Sequence, residues 1–367
     1  MLAELISVLF KIFWQILGIG IILIALVDVY LTVLYPRTGK SVVSLQLSKG
    51  IWQLFRWLSH LPGFRKQDVL SYCGPTLLVA IASFWVCTTA IGFALFLWPA
   101  LGTGIQASSG KTPTDFATAF YYSGYTLTTL GVGDLVPKTG FWRFVTVWEA
   151  AIGFSIITAA LTYLLSVYNA LTRRNSFALS LHHRSGDEAN AAALLIRLKG
   201  YSNFEPAMSE ISSITRDLLF LLESHHAYPV LHYFRFPEPH YALARIALIS
   251  LDLAALIKSA LHPHIHQPFI NSAAVTGLEK GGLDMLVQLS NSFLDKQQID
   301  STEQRQEWRH WYFEAAKVIQ QNGIETVDDL EIGADNYVLI RSNWHNIIVA
   351  MAKYMDYSWQ EIAPYEQ

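Results

Sequence analysis

The sequence predicts an all-α membrane protein in which three transmembrane helices, with a re-entrant segment between the second and third, are followed by an all-helical domain. Of its 367 residues, 52% are apolar and only 15% are charged, whereas soluble domains carry about a quarter charged residues. Residues 1–170 hold ten Lys and Arg against six Asp and Glu, and residues 171–367 hold sixteen against twenty-three. The acidic second half argues against nucleic acid as a partner, because phosphate binding needs clustered basic residues.

Three apolar segments are long enough to cross a bilayer, at 12–35, 74–98 and 144–169. Each supplies the roughly 20 apolar residues that a transmembrane helix needs. Trp14, Trp98 and Trp142 lie at span ends, where interfacial aromatic belts form. We therefore assign residues 1–40 to an N-terminal span. A cleaved signal peptide is the alternative, but the first residues lack its positive charge and the apolar run is too long.

Basic residues predict the orientation in the plasma membrane. The segment between the first two spans and the segment after the third are rich in Lys and Arg, so both should be cytoplasmic and the N-terminus outside. The basic residues between the first two spans are Arg37, Lys40, Lys49, Arg56, Arg65 and Lys66.

Residues 41–68 are expected to contain an amphipathic helix. Apolar residues recur at helical spacing over 42–60, interleaved with Lys49 and Arg56. One interpretation is a helix lying on the cytoplasmic membrane surface, anchored by Trp52 and Trp57. The other is a connector helix packed on the protein itself.

The segment between the second and third spans has its own helix signal, followed by a glycine-containing strand. Thr112 is expected to cap a helix over 113–127, with Pro113 at its first position. The run Thr128-Thr-Leu-Gly-Val-Gly-Asp134 follows. Backbone carbonyls can replace the hydration shell of a cation when successive peptides turn toward one axis, and glycine permits the alternating backbone hands that this requires.

The stretch from Phe120 to Asp134 resembles the pore region of potassium channels. The resemblance is specific over residues 112–153 and implies a bacterial-type pore-loop potassium channel with an extra N-terminal span. It implies that the Thr129 hydroxyl and backbone carbonyls coordinate dehydrated potassium, and that four copies assemble as a homotetramer, since one strand cannot enclose an ion. The residues it assigns to the selectivity filter are Thr129, Leu130, Gly131, Val132 and Gly133.

Two departures from the family filter concern its support. Leu130 and Val132 replace the usual valine and tyrosine, and Tyr121 and Tyr122 replace a tryptophan pair. Because Val132 would contribute only its carbonyl, the coordinating atoms are retained. We expect the filter to be supported by Thr128, Asp134, Tyr121 and Glu149, with Tyr121 reaching Asp134 by hydrogen bond or serving only as interfacial packing.

The third span resembles the inner helix of the family and completes a pore domain over 69–172. Gly153 lies twenty residues after Gly133, at the offset where related channels have a bending glycine. Its role is either a gating hinge or a close packing contact. Candidate pore-lining residues are Phe154, Ile157, Leu161 and Leu165. Of the two acids within spans, Asp28 is expected to face Arg56 or Arg173 or to lie at the interface, and Glu149 to brace the filter.

Residues 173–367 are expected to form a helical cytoplasmic domain that modulates the gate. Helical periodicity predicts helices at 187–199, 207–226, 238–260, 269–295, 302–321 and 335–356. Residues 241–261 are apolar enough for a fourth span, but Arg245, Asp252 and Lys258 favour a buried helix of this domain. His262, His264 and His266 alternate and are a weak candidate metal site, because no cysteine or well-spaced acid accompanies them.

The sequence thus predicts a potassium channel subunit and no enzyme, with no cofactor other than the permeant ion. One alternative is a non-selective monovalent cation channel. Another is a membrane-anchored signalling or scaffold protein whose pore domain does not conduct. The stimulus, ligand or partner of the helical domain is not encoded in any recognisable motif.

Overall fold

The computed structural model describes residues 2–35, 41, 43–63, 65–199, 204–294 and 304–366. The predicted basic residues Arg37 and Lys40, and the start of the helix predicted at 302, lie outside these ranges. The chain divides into two compact units. The first comprises residues 1–54 and 74–168, and the second comprises residues 55–73 and 169–367.

The regular secondary structure of the first unit is helical apart from one short pair of strands. Helix α1 (Leu2–Val29) continues as a π-helical turn, Tyr30–Leu34. Strands β1 (Ile105–Ala107) and β2 (Leu135–Pro137) pair antiparallel, with Gln106 opposite Val136. The other helices that contribute to it are α2 (Val43–Ser59), α4 (Cys73–Leu97), α5 (Phe116–Leu127) and α6 (Gly140–Arg184); the short α3 (Lys66–Ser71) belongs to the second unit.

Three helices of the described chain are long and apolar enough to cross a membrane: Val8–Leu34, Lys66–Ala100 and Gly140–Arg184. This confirms the three predicted spans. The third helix is longer than predicted, since α6 continues without interruption to Arg184, fifteen residues beyond the predicted end at 169.

Helix α1 packs closely against α4 through two glycines. A Cβ on Gly18 would lie 2.5 Å from the Gly92 carbonyl oxygen and 2.7 Å from the Phe96 nitrogen. Small residues let helix backbones approach in this way within membranes. Ile22 extends the contact into the apolar core of the unit. Helix α1 is therefore an integral part of this unit.

The position of Asp28 differs from the prediction. It does not lie at a surface, because only 3% of it is exposed. Its carboxylate accepts hydrogen bonds from the Val43 and Ser44 nitrogens at 3.1 and 3.2 Å, and from Trp85 Nε1 at 2.8 Å. The Ser44 hydroxyl also donates to it. Asp28 therefore satisfies the first free N–H groups of α2 and joins α1, α2 and α4.

Helix α2 confirms a helix in the predicted amphipathic segment, but one predicted anchor is wrong. Trp57 is 61% exposed, whereas Trp52 is 1% exposed. A buried indole cannot anchor the helix in a membrane surface. The connector interpretation therefore fits Trp52, and the interfacial one fits only Trp57.

The second unit is built around helix α9 (Leu243–Ala260), which is buried along almost its whole length and packs against α7, α11, α13 and α14. This confirms that residues 241–261 belong to the helical domain. The other helices of the unit are α7 (Ala191–Leu198), α8 (Glu205–Ala227), α10 (Gln267–Ile270), α11 (Ala273–Phe293), α12 (Arg305–Gln321), α13 (Leu330–Ser342), α14 (His345–Tyr354) and α15 (Trp359–Ile362).

Two features of this unit correct the sequence-based boundaries. The helix predicted at 335–356 is two helices, α13 and α14, separated at Asn343 and Trp344. The helix predicted at 187–199 begins later, because its cap is Asn190, whose side chain accepts from the Ala192 and Ala193 nitrogens. The preceding helix α6 extends to Arg184, beyond its predicted end.

Candidate functional site

Helix α5 leads into the filter segment, defined here as residues 128–134. Its N-cap is Asp115, whose carboxylate accepts from the Thr118 nitrogen at 2.9 Å. The predicted cap, Thr112, lies outside the helix and accepts from the Ala107 nitrogen at 2.9 Å. Both Thr and Asp are good caps, and the tertiary contact of Thr112 with β1 decides between them. The C-terminal end of α5, at Leu127, directly precedes the filter segment.

The filter segment has an alternating backbone. Thr129, Gly131 and Gly133 have positive φ values of 58°, 60° and 81°, whereas Leu130 and Val132 between them do not. This is the alternation that turns successive peptide carbonyls toward one side. Glycine adopts it without steric cost, whereas Thr129 must be held in it by its surroundings.

Hydrogen bonds to the end of α5 hold the first half of the filter segment. The Thr129 nitrogen donates to the Thr126 carbonyl at 3.0 Å, and the Leu130 nitrogen donates to the Tyr125 carbonyl at 2.8 Å. The Thr128 hydroxyl donates to the Gly124 carbonyl at 2.8 Å. Because the amide groups bond back to α5, these bonds keep Thr129 in its left-handed conformation.

Tyr125 holds the second half of the segment. Its hydroxyl donates to the Leu135 carbonyl at 2.8 Å, directly after the filter segment. Its ring packs edge-on against the rings of Tyr121 and Tyr122, at centroid distances of 5.1 and 5.2 Å. Sequence reasoning missed Tyr125 as a support residue, although its position among three tyrosines of α5 was the available signal.

Tyr121 and Tyr122, the two tyrosines that replace the tryptophan pair, have different environments. Tyr122 is buried, and its hydroxyl lies 2.7 Å from Thr146 Oγ1 on α6. Tyr121 is 45% exposed, and its hydroxyl interacts with the Asp134 carboxylate. Asp134 itself accepts from the Leu135 nitrogen at 2.9 Å, and its backbone carbonyl accepts from the Ser108 nitrogen at 2.7 Å.

Glu149 lies fully buried on α6, behind α5. Its Oε1 atom is 2.6 Å from the Ser123 hydroxyl, which also lies 3.0 Å from the Ala90 carbonyl oxygen. Its Oε2 atom has no hydrogen-bond partner among the described residues. The residue of α5 that Glu149 contacts is therefore Ser123. Glu149 and Ser123 together join α4, α5 and α6 behind the filter segment.

Gly153 makes the closest contact between α6 and α5. A Cβ at this position would lie 1.9 Å from the Leu127 carbonyl oxygen, so no larger residue fits without moving the backbone. Helix α6 runs through Gly153 without a break. Of its two expected roles, close packing has direct geometric support, and the hinge stays a prediction.

Apolar residues of the first unit lie exposed in the filter segment and along one face of α6. In the filter segment Leu130 is 72% exposed and Val132 is 51% exposed. The four candidate pore-lining residues of α6 lie exposed too, whereas Glu149, Gly153, Ile156 and Tyr163 on the opposite face are buried. The exposed pore-lining candidates are Phe154, Ile157, Leu161 and Leu165.

The histidine triplet does not come together as a metal site. His262 Nε2 lies 3.5 Å from Asp328 Oδ2, and His266 Nε2 lies 3.2 Å from Glu325 Oε2. No group of three or more potential ligands converges anywhere in the described ranges. His262 and His266 therefore pair individually with acids of the loop before α13.

Comparison with known proteins agrees with this geometry. Residues 80–170 match the family model described as "Ion channel". The chain is also 29% identical over 251 residues to the uncharacterized membrane protein YdjJ of Bacillus subtilis (strain 168), covering 68% of this chain and 71% of that protein. No solved structure is significantly similar to the chain. Helix α5, the alternating segment and most of the two flanking spans fall within the matched residues, so this part of the chain is similar to that ion channel family.

Proposed function

We propose that this protein is a potassium-selective channel subunit that conducts passively through a homotetrameric pore. The observation that carries the proposal is the alternation of positive φ at Thr129, Gly131 and Gly133 within the matched channel segment. In this conformation the Thr129 hydroxyl and the carbonyls of residues 129–132 would replace the hydration shell of potassium. The side chains of Leu130 and Val132 are not needed as ligands.

Selectivity for potassium depends on the carbonyl field and on how firmly the filter is held. Two sets of hydrogen bonds support a firm filter here. Tyr125 bonds to the strand after it, and the amides of Thr129 and Leu130 bond back to α5. We therefore propose that Tyr125 performs the tethering that a filter aromatic performs in relatives.

A homotetramer would cover the surfaces that a single chain leaves exposed. One filter strand cannot surround an ion, and each chain has one such strand. The exposed filter residues and the exposed stripe of α6 would then line the axis. Phe154, Ile157, Leu161 and Leu165 are the residues we propose for the cavity and inner gate.

The second unit is proposed to be cytoplasmic and to act on the gate. It includes the two segments that lead into α4 and out of α6. Lys66 forms an ion pair with Asp356 at 2.8 Å, and Arg174 on α6 donates to the carbonyls of Leu231 and Phe234 at 3.0 and 2.9 Å. A rearrangement within this domain would therefore pull on both membrane helices of the pore.

Bi-ionic reversal potentials of the full-length protein in planar bilayers test the proposal. With potassium on one side and sodium on the other, a potassium-selective pore gives a large reversal potential at which the potassium side is negative. A reversal potential near zero would contradict the proposal and favour the non-selective cation channel. If no current flows under any condition although the protein is incorporated, the scaffold interpretation takes its place.

A further inference from the structure

A cavity of about 440 Å³ lies within the second unit, between the last part of α6 and helix α8. Its walls are mixed. Phe177, Phe220 and Leu221 form an apolar side, and Ser176, Ser180 and Ser224 contribute hydroxyl groups. Its volume lies in the range of natural small-molecule sites, roughly 300–1,000 Å³. No function described above uses this cavity.

A buried arginine lines the cavity without an acidic partner. Arg174 is 6% exposed, and its two terminal nitrogens bond to backbone carbonyls of residues 231 and 234. Its Nε atom has no hydrogen-bond partner among the described residues, and the hydrogen bonds of its terminal nitrogens go to backbone carbonyls and not to a carboxylate. An uncompensated buried charge is costly, so this guanidinium favours an anion in the adjacent space.

A buried histidine presents a second unpartnered polar atom. His225 is 4% exposed, its Nδ1 atom lies 2.8 Å from the Leu221 carbonyl oxygen, and its Nε2 atom has no hydrogen-bond partner within the described part of the chain. With the proton on Nδ1, Nε2 is an acceptor without a donor. A monoprotonated phosphate has both kinds of group, because its anionic oxygens accept from arginine and its P–OH donates to Nε2.

The opening of the cavity has one more arginine and one acid. Arg173 is exposed, with its guanidinium carbon 6.0 Å from the centre of the Phe220 ring. Asp217 is half-buried and is the one carboxylate among the lining residues. The lining therefore has two arginines against one acid.

From these contacts we propose that the cavity binds a phosphate monoester, with Arg173 and Arg174 neutralising its charge and serine hydroxyls and His225 completing its hydrogen bonds. The apolar wall accommodates the organic part. The ligand is either a soluble phosphorylated molecule or the headgroup of a phospholipid such as phosphatidic acid. Because α6 is continuous from Gly140 to Arg184, occupancy would act on the helix that we propose to line the pore. Only this last consequence rests on the proposed channel function.

Thermal unfolding of the full-length protein tests binding without requiring conduction. The wild type in phosphatidylcholine nanodiscs is titrated with inorganic phosphate, and separate nanodiscs contain increasing phosphatidic acid. Arg173→Gln removes an exposed charge at the opening and should not prevent folding. Arg184→Gln is the matched control, because Arg184 lies on the same helix and pairs with Glu210 outside the cavity.

We expect phosphate or phosphatidic acid to raise the unfolding temperature of the wild type and of Arg184→Gln. In Arg173→Gln the half-saturating concentration should increase about tenfold, the usual effect of losing one charged hydrogen bond. An effect of inorganic phosphate identifies a soluble ligand, and an effect of phosphatidic acid identifies a lipid ligand. The proposal is overturned if neither anion raises the unfolding temperature, or if all three proteins respond equally.

Discussion

At the scale of single residues, the filter segment combines a permissive backbone with specific restraints. Gly131 and Gly133 adopt positive φ freely, but Thr129 does so at a steric cost that the amide bonds to α5 must offset. The positive φ values of these two glycines could be predicted from the sequence, because they follow from the missing Cβ. It could not predict Tyr125, because which of three neighbouring tyrosines reaches the strand depends on how α5 is rotated.

Val132→Asp should abolish potassium selectivity while leaving the oligomer intact. Val132 is 51% exposed, and a carboxylate at this position would lie next to the peptide carbonyls that we propose to bind the ion. The four new charges of a homotetramer would repel one another and distort the filter. We expect the potassium-to-sodium permeability ratio from bi-ionic reversal potentials to fall about tenfold or more, a loss of about 1.4 kcal/mol of discrimination.

Val132→Ile is the control for this substitution, since it retains an apolar branched side chain and should keep the wild-type ratio. Native mass measurement of both variants checks the oligomer. An unchanged permeability ratio in Val132→Asp would refute the assignment of residues 128–134 as the filter.

Tyr125→Phe and Tyr122→Phe separate filter support from general packing. Each removes one hydroxyl bond, from Tyr125 to the Leu135 carbonyl or from Tyr122 to Thr146. Both should lower the free energy of unfolding by about 0.5–1.5 kcal/mol. Only Tyr125→Phe should also reduce the potassium-to-sodium permeability ratio, because only Tyr125 bonds to the strand after the filter. Equal permeability ratios in the two variants would show that Tyr125 is not a tether.

At the scale of elements, sequence periodicity located helices better than it located their ends. The three spans and the buried α9 were predicted because apolar segments of such length have few alternatives. The break between α13 and α14 was missed, since helical periodicity continues across it. The length of α6 was missed as well. Its last turns are buried in the core of the second unit through Phe177, Ala178 and Leu181, a contact that composition does not reveal.

The close packing of α1 on α4 predicts opposite effects for two glycines two residues apart. Gly18→Ala places a methyl group against the backbone of residues 92 and 96 and should cost about 1–3 kcal/mol. Gly20→Ala meets nothing within 4 Å, so it should be neutral or stabilising by up to about 1 kcal/mol. Thermal unfolding in detergent measures both. Equal effects of the two substitutions would argue against the observed contact between α1 and α4.

At the scale of the whole molecule, buried histidines make the helical domain sensitive to acid. Burial lowers the pKa of His225 to about 3, and it lowers that of His345 to about 3 as well. The unfolded chain binds these protons near pH 6.5. Because the folded pKa lies below the unfolded one, stability is fully present above about pH 6.5 and is lost as the pH falls toward about 3.

Each buried histidine should therefore remove about 1.4 kcal/mol of stability per pH unit below about pH 6.5. His345→Gln keeps an acceptor for Arg341, which donates to His345 Nδ1 at 3.3 Å, and should reduce this slope by that amount. His264→Gln, at an exposed position, is the matched control and should keep the wild-type slope. Denaturant unfolding followed by circular dichroism gives the slopes. A wild-type slope in His345→Gln would contradict the prediction.

The sequence by itself determined the membrane class, the three spans, the pore-loop segment and the helical nature of the second domain. These follow from length, hydropathy and the special backbone of glycine, which are local properties. The tertiary structure alone decided which groups meet across elements. It placed Asp28 at the start of α2, Ser123 against Glu149, Tyr125 on the strand after the filter, and Gly153 beneath Leu127. Such contacts depend on how helices are rotated and packed against one another, which no periodicity within a single helix specifies.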